Sequence, residues 1–496
     1  MSETSISERN AIDDLAAQGA IVERLTSDSR RCAPRVAFLA YPGESADGRL
    51  HIGDAIGRGA AGVLWESDGY AWRAEWRVPN VGIHGLRARA GLVAHVYYGR
   101  PSESLWVCGI TGTNGKTSCS QWLAALLSQR GVKTGVVGTL GSGYPGSLDP
   151  LVNTTPGAVE LHGLLAGFRD EGAHAVAMEV SSHALMQERV SAVAFDCAVF
   201  TNLSHDHLDY HGSMQAYGQA KARLFDAPGL GAAVLNLDDA MGAQLAQSLR
   251  ARGERVIGYG LSSMSVPSIE SIRARIVAEG PGGTTMELES TWGTARTRVN
   301  QFGRFNVSNA LAVLGALVAH GVPFAEAAQM LDGLPPVPGR MQRFGGGGLP
   351  LVVVDYAHTP DALEKVLGAL RPVSRETGGA LVVVFGAGGD RDPLKRPVMG
   401  AIARQHADRI MLTSDNPRSE DPRAIIEAIR AGAGVEALVQ TDRARAIADT
   451  IMAAESRDVI LVAGKGHETY QDIAGTRHPF SDAAVVRAAL ARRGAQ

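Results

Sequence analysis

Residues 105–117 read Leu105-Trp106-Val107-Cys108-Gly109-Ile110-Thr111-Gly112-Thr113-Asn114-Gly115-Lys116-Thr117. An apolar strand over 105–110 runs into a glycine turn, and a helix is predicted from about Thr117 to Gln129. That is the setting a phosphate-binding loop requires. Backbone N–H groups at the helix start can cradle phosphate oxygens. Lys116 would neutralise the terminal phosphates of a bound nucleotide, and the Thr117 hydroxyl would reach Mg²⁺. The full loop pattern begins with a glycine where this chain has Ile110. On the motif alone, a glycine turn capped by threonine stays open as the plain alternative.

Working outward, further strand-like runs occur at 133–138, 175–180, 197–201 and 232–237, with helical patterns between several of them and an amphipathic helix at about 306–320. Alternation of this kind predicts a parallel sheet with right-handed crossovers. Before it lies a smaller α/β region with runs at 36–40 and 61–65, a helical stretch around 51–60, and a linker, Pro101-Ser102-Glu103-Ser104. After the turn-rich Gly333–Gly339 the alternation resumes at 351–354, 381–385, 409–412 and 459–462. The expected fold class is therefore α/β in three domains. These are a small N-terminal α/β domain (1–100), a central phosphate-loop ATPase domain with a parallel sheet (101–335), and a C-terminal Rossmann-like domain (336–496). A chain of 496 residues is too long for one ordinary core.

Ligands bind outside the carboxyl ends of strands in open α/β sheets. Glu179 ends one central strand, where a metal-binding carboxylate belongs. His205, Asp206 and His207 follow the next. Together they favour a Mg²⁺ site over solvated loop histidines, although Mg²⁺ prefers oxygen ligands. In the last third, four strands end in unusual polar loops, Asp355–His358, Gly386–Arg391, Ser414–Arg418 and Gly464–Glu468. Such loops predict a second substrate site.

Composition narrows the rest. Lys plus Arg is 48 and Asp plus Glu 51, for a formal charge of -3, which argues against a general nucleic-acid or acidic-membrane binder. The four cysteines include no CxxC pair, so neither a zinc site nor a disulfide framework is expected. The polar start, Met1–Asn10, lacks a signal-peptide layout, and no membrane span is expected. A reduced, cytoplasmic protein is the resulting expectation.

The ordered motifs, from Ser27-Asp28-Ser29-Arg30 to Gly464-Lys465-Gly466-His467-Glu468, resemble the Mur ligases, cytoplasmic enzymes that extend the peptidoglycan stem peptide and so serve cell-wall growth, shape and division. The likeness is strongest to the branch that adds meso-diaminopimelate to UDP-N-acetylmuramoyl-L-alanyl-D-glutamate. The family's loop also lacks a glycine at the position of Ile110. The resemblance implies that Gly112–Ser118, Asn306, Arg340 and Asp355 bind ATP. It implies that Ser27, Ser29, Glu44, Ser45, Ala46, Asn153, Thr154, Thr155, Ser181, Gln187 and Arg189 bind the UDP-muramoyl dipeptide, with Glu44 and Ser45 departing from relatives. Arg391, Asp415, Asn416, Pro417, Arg418, Gly464 and Glu468 match contacts to meso-diaminopimelate. Lys221 matches a lysine carbamylated by CO₂, which with Thr117, Glu179 and His207 would hold Mg²⁺. Without the family it reads as an exposed helix lysine. Lys116, Glu179, His207 and Lys221 are the implied catalytic set, and His358 is a candidate base. A monomer without nucleic-acid partners is expected.

Other readings are a folylpolyglutamate-type or other Mur ligase, with no use for Asp415–Arg418; a GTPase-type switch, which lacks its Asn-Lys-x-Asp segment here; and a scaffold, which leaves the strand-end clusters unexplained.

Overall fold

The computed structural model describes residues 4–44, 46–262, 266–280 and 282–495, with side chains from residue 11 onward. Among the described residues three large sheets follow one another along the chain, and a two-stranded hairpin, Tyr470–Ile473 with Thr476–Pro479, lies near its end. The first has four parallel strands, Arg24–Thr26, Val36–Ala40, Gly62–Glu66 and Asn80–Ile83, in sequence order. The helical stretch expected around 51–60 is a 3₁₀ turn, Gly48–His51, leading into a short α-helix, Ile52–Gly57.

The central sheet has eleven strands. Its middle is parallel, as the alternation predicts. Trp106–Thr111 lies between Ala175–Glu179 and Cys197–Phe200, with Thr134–Gly138 beyond one neighbour and Ala232–Asn236 and Val256–Gly260 beyond the other. Both faces of this middle are buried, so its strands read as continuous apolar runs rather than alternating ones. Both edges turn antiparallel: a hairpin system over 141–149 closes one, and a meander of Glu270–Gly280, Gly283–Ser290 and Gly293–Val299 closes the other.

Helix Lys116–Gln129 covers the sheet beside helix Arg304–Ala319, which is buried nearly all round and correspondingly apolar. Trp122 is buried in this layer, and its indole N–H donates to the carbonyl of Pro335 at 2.9 Å, tying the helix to the following linker.

The third sheet has six strands, parallel except for the leading edge strand Gln342–Gly346. It carries a buried apolar layer on each face. The loops after Leu349–Asp355, Leu381–Phe385, Arg409–Leu412 and Val459–Ala463 therefore emerge at one end, the carboxyl end of parallel strands. Among the described residues, no helix is long and apolar enough to cross a membrane.

Candidate active site

Two glycines shape the phosphate loop. Gly112 and Gly115 have φ of 144° and 91°, where side chains are strained. A Cβ at Gly112 would lie 1.9 Å from Thr201 Oγ1, and one at Gly115 would lie 2.3 Å from Asn309 Oδ1. The loop is held from the neighbouring strand end. The N–H groups of Thr113 and Asn114 donate to the Asn202 carbonyl (2.8 Å) and Asn202 Oδ1 (3.0 Å). Thr201 Oγ1 and Asn202 Nδ2 donate to the Asn114 carbonyl at 2.5 and 3.1 Å.

Lys116 opens the helix, and its ammonium donates to the carbonyls of Gly112 (2.7 Å) and Thr113 (2.9 Å). Burial lowers its pKa, with Arg340 acting in the same sense and Glu179 and Asp206 opposing.

Glu179 is 1% exposed and has both carboxylate oxygens engaged. Thr117 Oγ1 donates to Oε2 at 3.0 Å, Thr139 Oγ1 to Oε2 at 3.0 Å, and Thr139 N–H to Oε1 at 2.8 Å. From the start of the third region, Arg340 donates to Thr117 Oγ1 at 3.1 Å while its guanidinium lies 4.6 Å from the centroid of the Tyr356 ring. Asp355 accepts from the N–H groups of Met341 (2.7 Å) and Ala357 (2.8 Å), and burial raises its pKa.

Asn306 turns its amide to the Phe302 carbonyl (2.9 Å) and sits behind Asn309. A cleft of about 510 Å³ opens beside the loop, lined by Asn202, Asn309, Asp238, Phe302 and Lys365 among others. Ser118 is buried in the first helical turn.

Lys221 is 1% exposed. Its ammonium lies 4.2 Å from the Tyr217 ring centroid, and no ion pair to it occurs among the described residues. Burial, then the charge of Lys116, drives its pKa well below the usual lysine range, against Asp206. The His207 ring is half exposed, 4.9 Å from that of His183 and 6.1 Å from that of Tyr217. Its pKa is lowered by partial burial, with Asp206 opposing and Lys116 and Lys221 adding.

Asp206 is the shared counter-charge of this cluster. Burial works against its carboxylate, yet His207, His358 and Lys116 hold its pKa down. Among the described residues no three His, Cys, Asp or Glu side chains form a ready-made metal cage.

The residues matched to the UDP-muramoyl dipeptide gather where the first and second sheets meet. Thr155 Oγ1 donates to the Glu179 carbonyl at 2.9 Å and accepts from Ser181 N–H at 3.1 Å. Ser181 caps helix Ser182–Met186. Arg189 donates to the Thr155 carbonyl (3.0 Å) and to Gln187. Glu44 reaches across from the first region, accepting from Gln187 (2.5 Å) and Tyr210 (2.7 Å) and pairing with Arg87 at 3.5 Å. The hydroxyls of Thr154 and Thr139 are 3.1 Å apart. Asn153 is exposed, Ser29 opens a 3₁₀ turn, and a Cβ at Gly157 would come within 3.9 Å of Ser27 Oγ. The Ala46 carbonyl accepts from Gly43 N–H at 2.7 Å, and Ser45 lies outside the described residues.

The strand-end loops of the third sheet form an ionic pocket. Asn416 Nδ2 and Lys465 Nζ donate to Glu468 Oε2 at 2.9 and 2.7 Å, and Lys465 also donates to Asn416 Oδ1 at 2.9 Å. A Cβ at Gly464, whose φ is 116°, would lie 2.5 Å from Asp415 Oδ2, so the two loops touch there. Arg418 has φ of 51°; its N–H donates to the Asp472 carbonyl (3.0 Å) and its Nη1 to the Gly389 carbonyl (2.5 Å). Pro417 is buried against Gly389. Arg391 is exposed on the adjacent loop, donating to the Asp390 carbonyl at 3.2 Å.

Sequence reasoning passed over Thr139, Asn202 and Asn309. The first two sit just past strand ends, the signal already used for Glu179, and Asn309 is one helical turn after Asn306.

Three large sheets in series, with a phosphate loop on the second and an ionic cluster at the strand ends of the third, define a multidomain α/β protein of the phosphate-loop class. Residues 110–317 match the Mur ligase middle domain and 339–466 the Mur ligase glutamate ligase domain. UDP-N-acetylmuramoyl-L-alanyl-D-glutamate–2,6-diaminopimelate ligase of Chromobacterium violaceum is 52% identical over 478 residues, covering 96% of each chain. That of Janthinobacterium sp. is 49% identical over 492 residues, covering 97% of this chain and 96% of its own. A solved structure of a ligase of the same name superposes with a TM-score of 0.68 at 34% identity over 95% of both chains. The chain belongs to the Mur ligase family.

Proposed function

We propose that this chain is the ATP-dependent, ADP-forming ligase that adds meso-diaminopimelate to the D-glutamyl carboxylate of UDP-N-acetylmuramoyl-L-alanyl-D-glutamate, in cytoplasmic peptidoglycan precursor synthesis. The observation that carries the mechanism is Arg340, which joins the start of the third region to Thr117 of the phosphate loop. The full-length relatives support the choice of substrates. The domain limits 1–100, 101–335 and 336–496 are proposed on the same grounds, each enclosing one of the three large sheets.

In the first step the substrate carboxylate oxygen attacks the γ-phosphorus of ATP. An O–P bond forms, the bond to the β-phosphate oxygen breaks, and ADP leaves. The protein's part is positioning and charge neutralisation. Lys116 and Arg340 supply cations, the N–H groups at the start of helix Lys116–Gln129 supply donors, and the cleft beside Asn309 has room for the base. In the second step the amine of diaminopimelate attacks the acyl phosphate, loses a proton, and phosphate departs. His358 suits the base: Nδ1 faces the Tyr356 carbonyl at 2.8 Å and is therefore the protonated nitrogen, leaving Nε2 free. Burial, then Lys395, lowers its pKa and keeps it neutral.

Thr117 and Glu179 are oxygen donors suited to Mg²⁺ beside a triphosphate, and His207 and a carbamate on Lys221 would complete the set. Bound there, Mg²⁺ supplies charge neutralisation at the transferring phosphate. The buried Lys221, with no ion pair among the described residues, supports the carbamate: its lowered pKa favours a neutral amine able to take up CO₂, and the product is an oxygen donor.

Diaminopimelate carries one carboxylate more than lysine. The planar Arg418 guanidinium matches that group, with Arg391 beside it, and Glu468 matches the distal ammonium. Incubation with ATP, the UDP-linked dipeptide and meso-diaminopimelate, lysine or glutamate tests the reading. Phosphate release is expected with diaminopimelate alone; release without any amino acid would mark a nucleotide switch and overturn it.

A further inference from the structure

Behind the ionic pocket lies a fully buried ion pair that the mechanism does not use. Arg443 opens helix Arg443–Ala453 and Asp482 opens helix Asp482–Gly494, and both side chains are 0% exposed. Arg443 Nε and Nη2 donate to the two Asp482 oxygens at 2.8 Å each. Two further donors go to backbone: Nη1 to the Ser414 carbonyl at 3.2 Å and Nη2 to the Ala463 carbonyl at 2.9 Å. Ser414 immediately precedes Asp415, and Ala463 immediately precedes Gly464. One guanidinium thus holds together the roots of the two loops that carry Asp415–Arg418 and Gly464–Glu468. Although burial works against the cation, Asp482 and, more weakly, Asp415 and Glu468 raise its pKa, so it stays charged beneath the pocket.

A buried ion pair adds little net stability over apolar groups of equal volume, because desolvation offsets the attraction. Its distinctive property is directional: a planar fork fixes two carbonyls at one spacing. We infer that Arg443, locked by Asp482, is a positioning residue that sets the spacing of the two amino-acid-binding loops and thereby the fit of the incoming amino acid. This rests on the amino-acid pocket proposed above.

The test compares wild type, Arg443→Lys, and the double variant Arg443→Met/Asp482→Leu, which removes both charges. The readouts are KM for amino acid, KM for ATP, kcat and thermal midpoint. The double variant is expected to fold, with KM for meso-diaminopimelate raised at least about tenfold and KM for ATP within about twofold of wild type. Arg443→Lys keeps the ion pair but cannot grip both carbonyls, so the same split is expected if the double variant fails to fold. Unchanged amino-acid KM in a folded variant, or equal rises for amino acid and ATP, would overturn the inference. Wild type that prefers lysine would instead refute the substrate reading, and the KM split would then be scored with lysine.

Discussion

The phosphate loop and the pocket proposed for the amino acid sit at strand ends of two successive large sheets, yet they are built from different materials. The loop is mostly backbone, shaped by Gly112 and Gly115 and pinned by Thr201 and Asn202 one strand away. The pocket is mostly side chain, a mesh of Asn416, Lys465, Glu468 and Arg418 braced from below by Arg443. Backbone donors suit a ligand common to many enzymes, whereas charged side chains suit a choice among amino acids that differ by one carboxylate.

The sharpest way to break this comparison is at the loop. Lys116→Ala removes the cation of the phosphate loop, and kcat is expected to fall about 10³-fold; steady-state phosphate release checks it. Lys221→Met comes next, with kcat down about 100-fold. Isotope-labelled bicarbonate should give a carbamate signal in wild type and none in the variant. The sign of its pH dependence follows from the lowered pKa of Lys221: acidification protonates the amine and blocks carbamate formation, so activity falls toward acid pH. Gly115→Ala forces a Cβ against Asn309 at positive φ, a strain of about 1–3 kcal/mol. Its KM for ATP should rise about tenfold with KM for the amino acid little changed, as measured by varying each substrate.

The smallest effect lies outside both sites. His162 is fully buried against the Ser191 carbonyl, and burial depresses its pKa from 6.5 to about 4. The unfolded chain therefore takes up the proton first. Stability from this group is intact above pH 6.5 and lost progressively as pH falls toward 4, by about 3 kcal/mol at most. In thermal denaturation at a series of pH values, His162→Gln should lose less stability than wild type over that window.

How much was legible follows the same division. Residues 105–117 announce the strand, turn and helix because glycine and apolar runs act locally. The meander over 270–299 escaped notice because it is an edge with a wet face, where exposed pairs such as Arg273–Glu289 interrupt any apolar run. Glu179 and His207 are legible as polar residues at or after strand ends; Thr139, which fixes both Glu179 oxygens, has the same strand-end position but no charge or ring to mark it as a ligand. The Arg443–Asp482 pair joins residues 39 apart on two helices, and no local pattern announces it.

The central claim is that Arg418 makes the third region choose diaminopimelate. The direct measurement is the ratio of kcat/KM for meso-diaminopimelate to that for lysine, in wild type and in Arg418→Ala. The account predicts a wild-type ratio on the order of 10⁴, collapsing by at least about tenfold in the variant with KM for ATP unchanged. A ratio that survives the substitution, or a wild type that uses both amino acids equally, would contradict it.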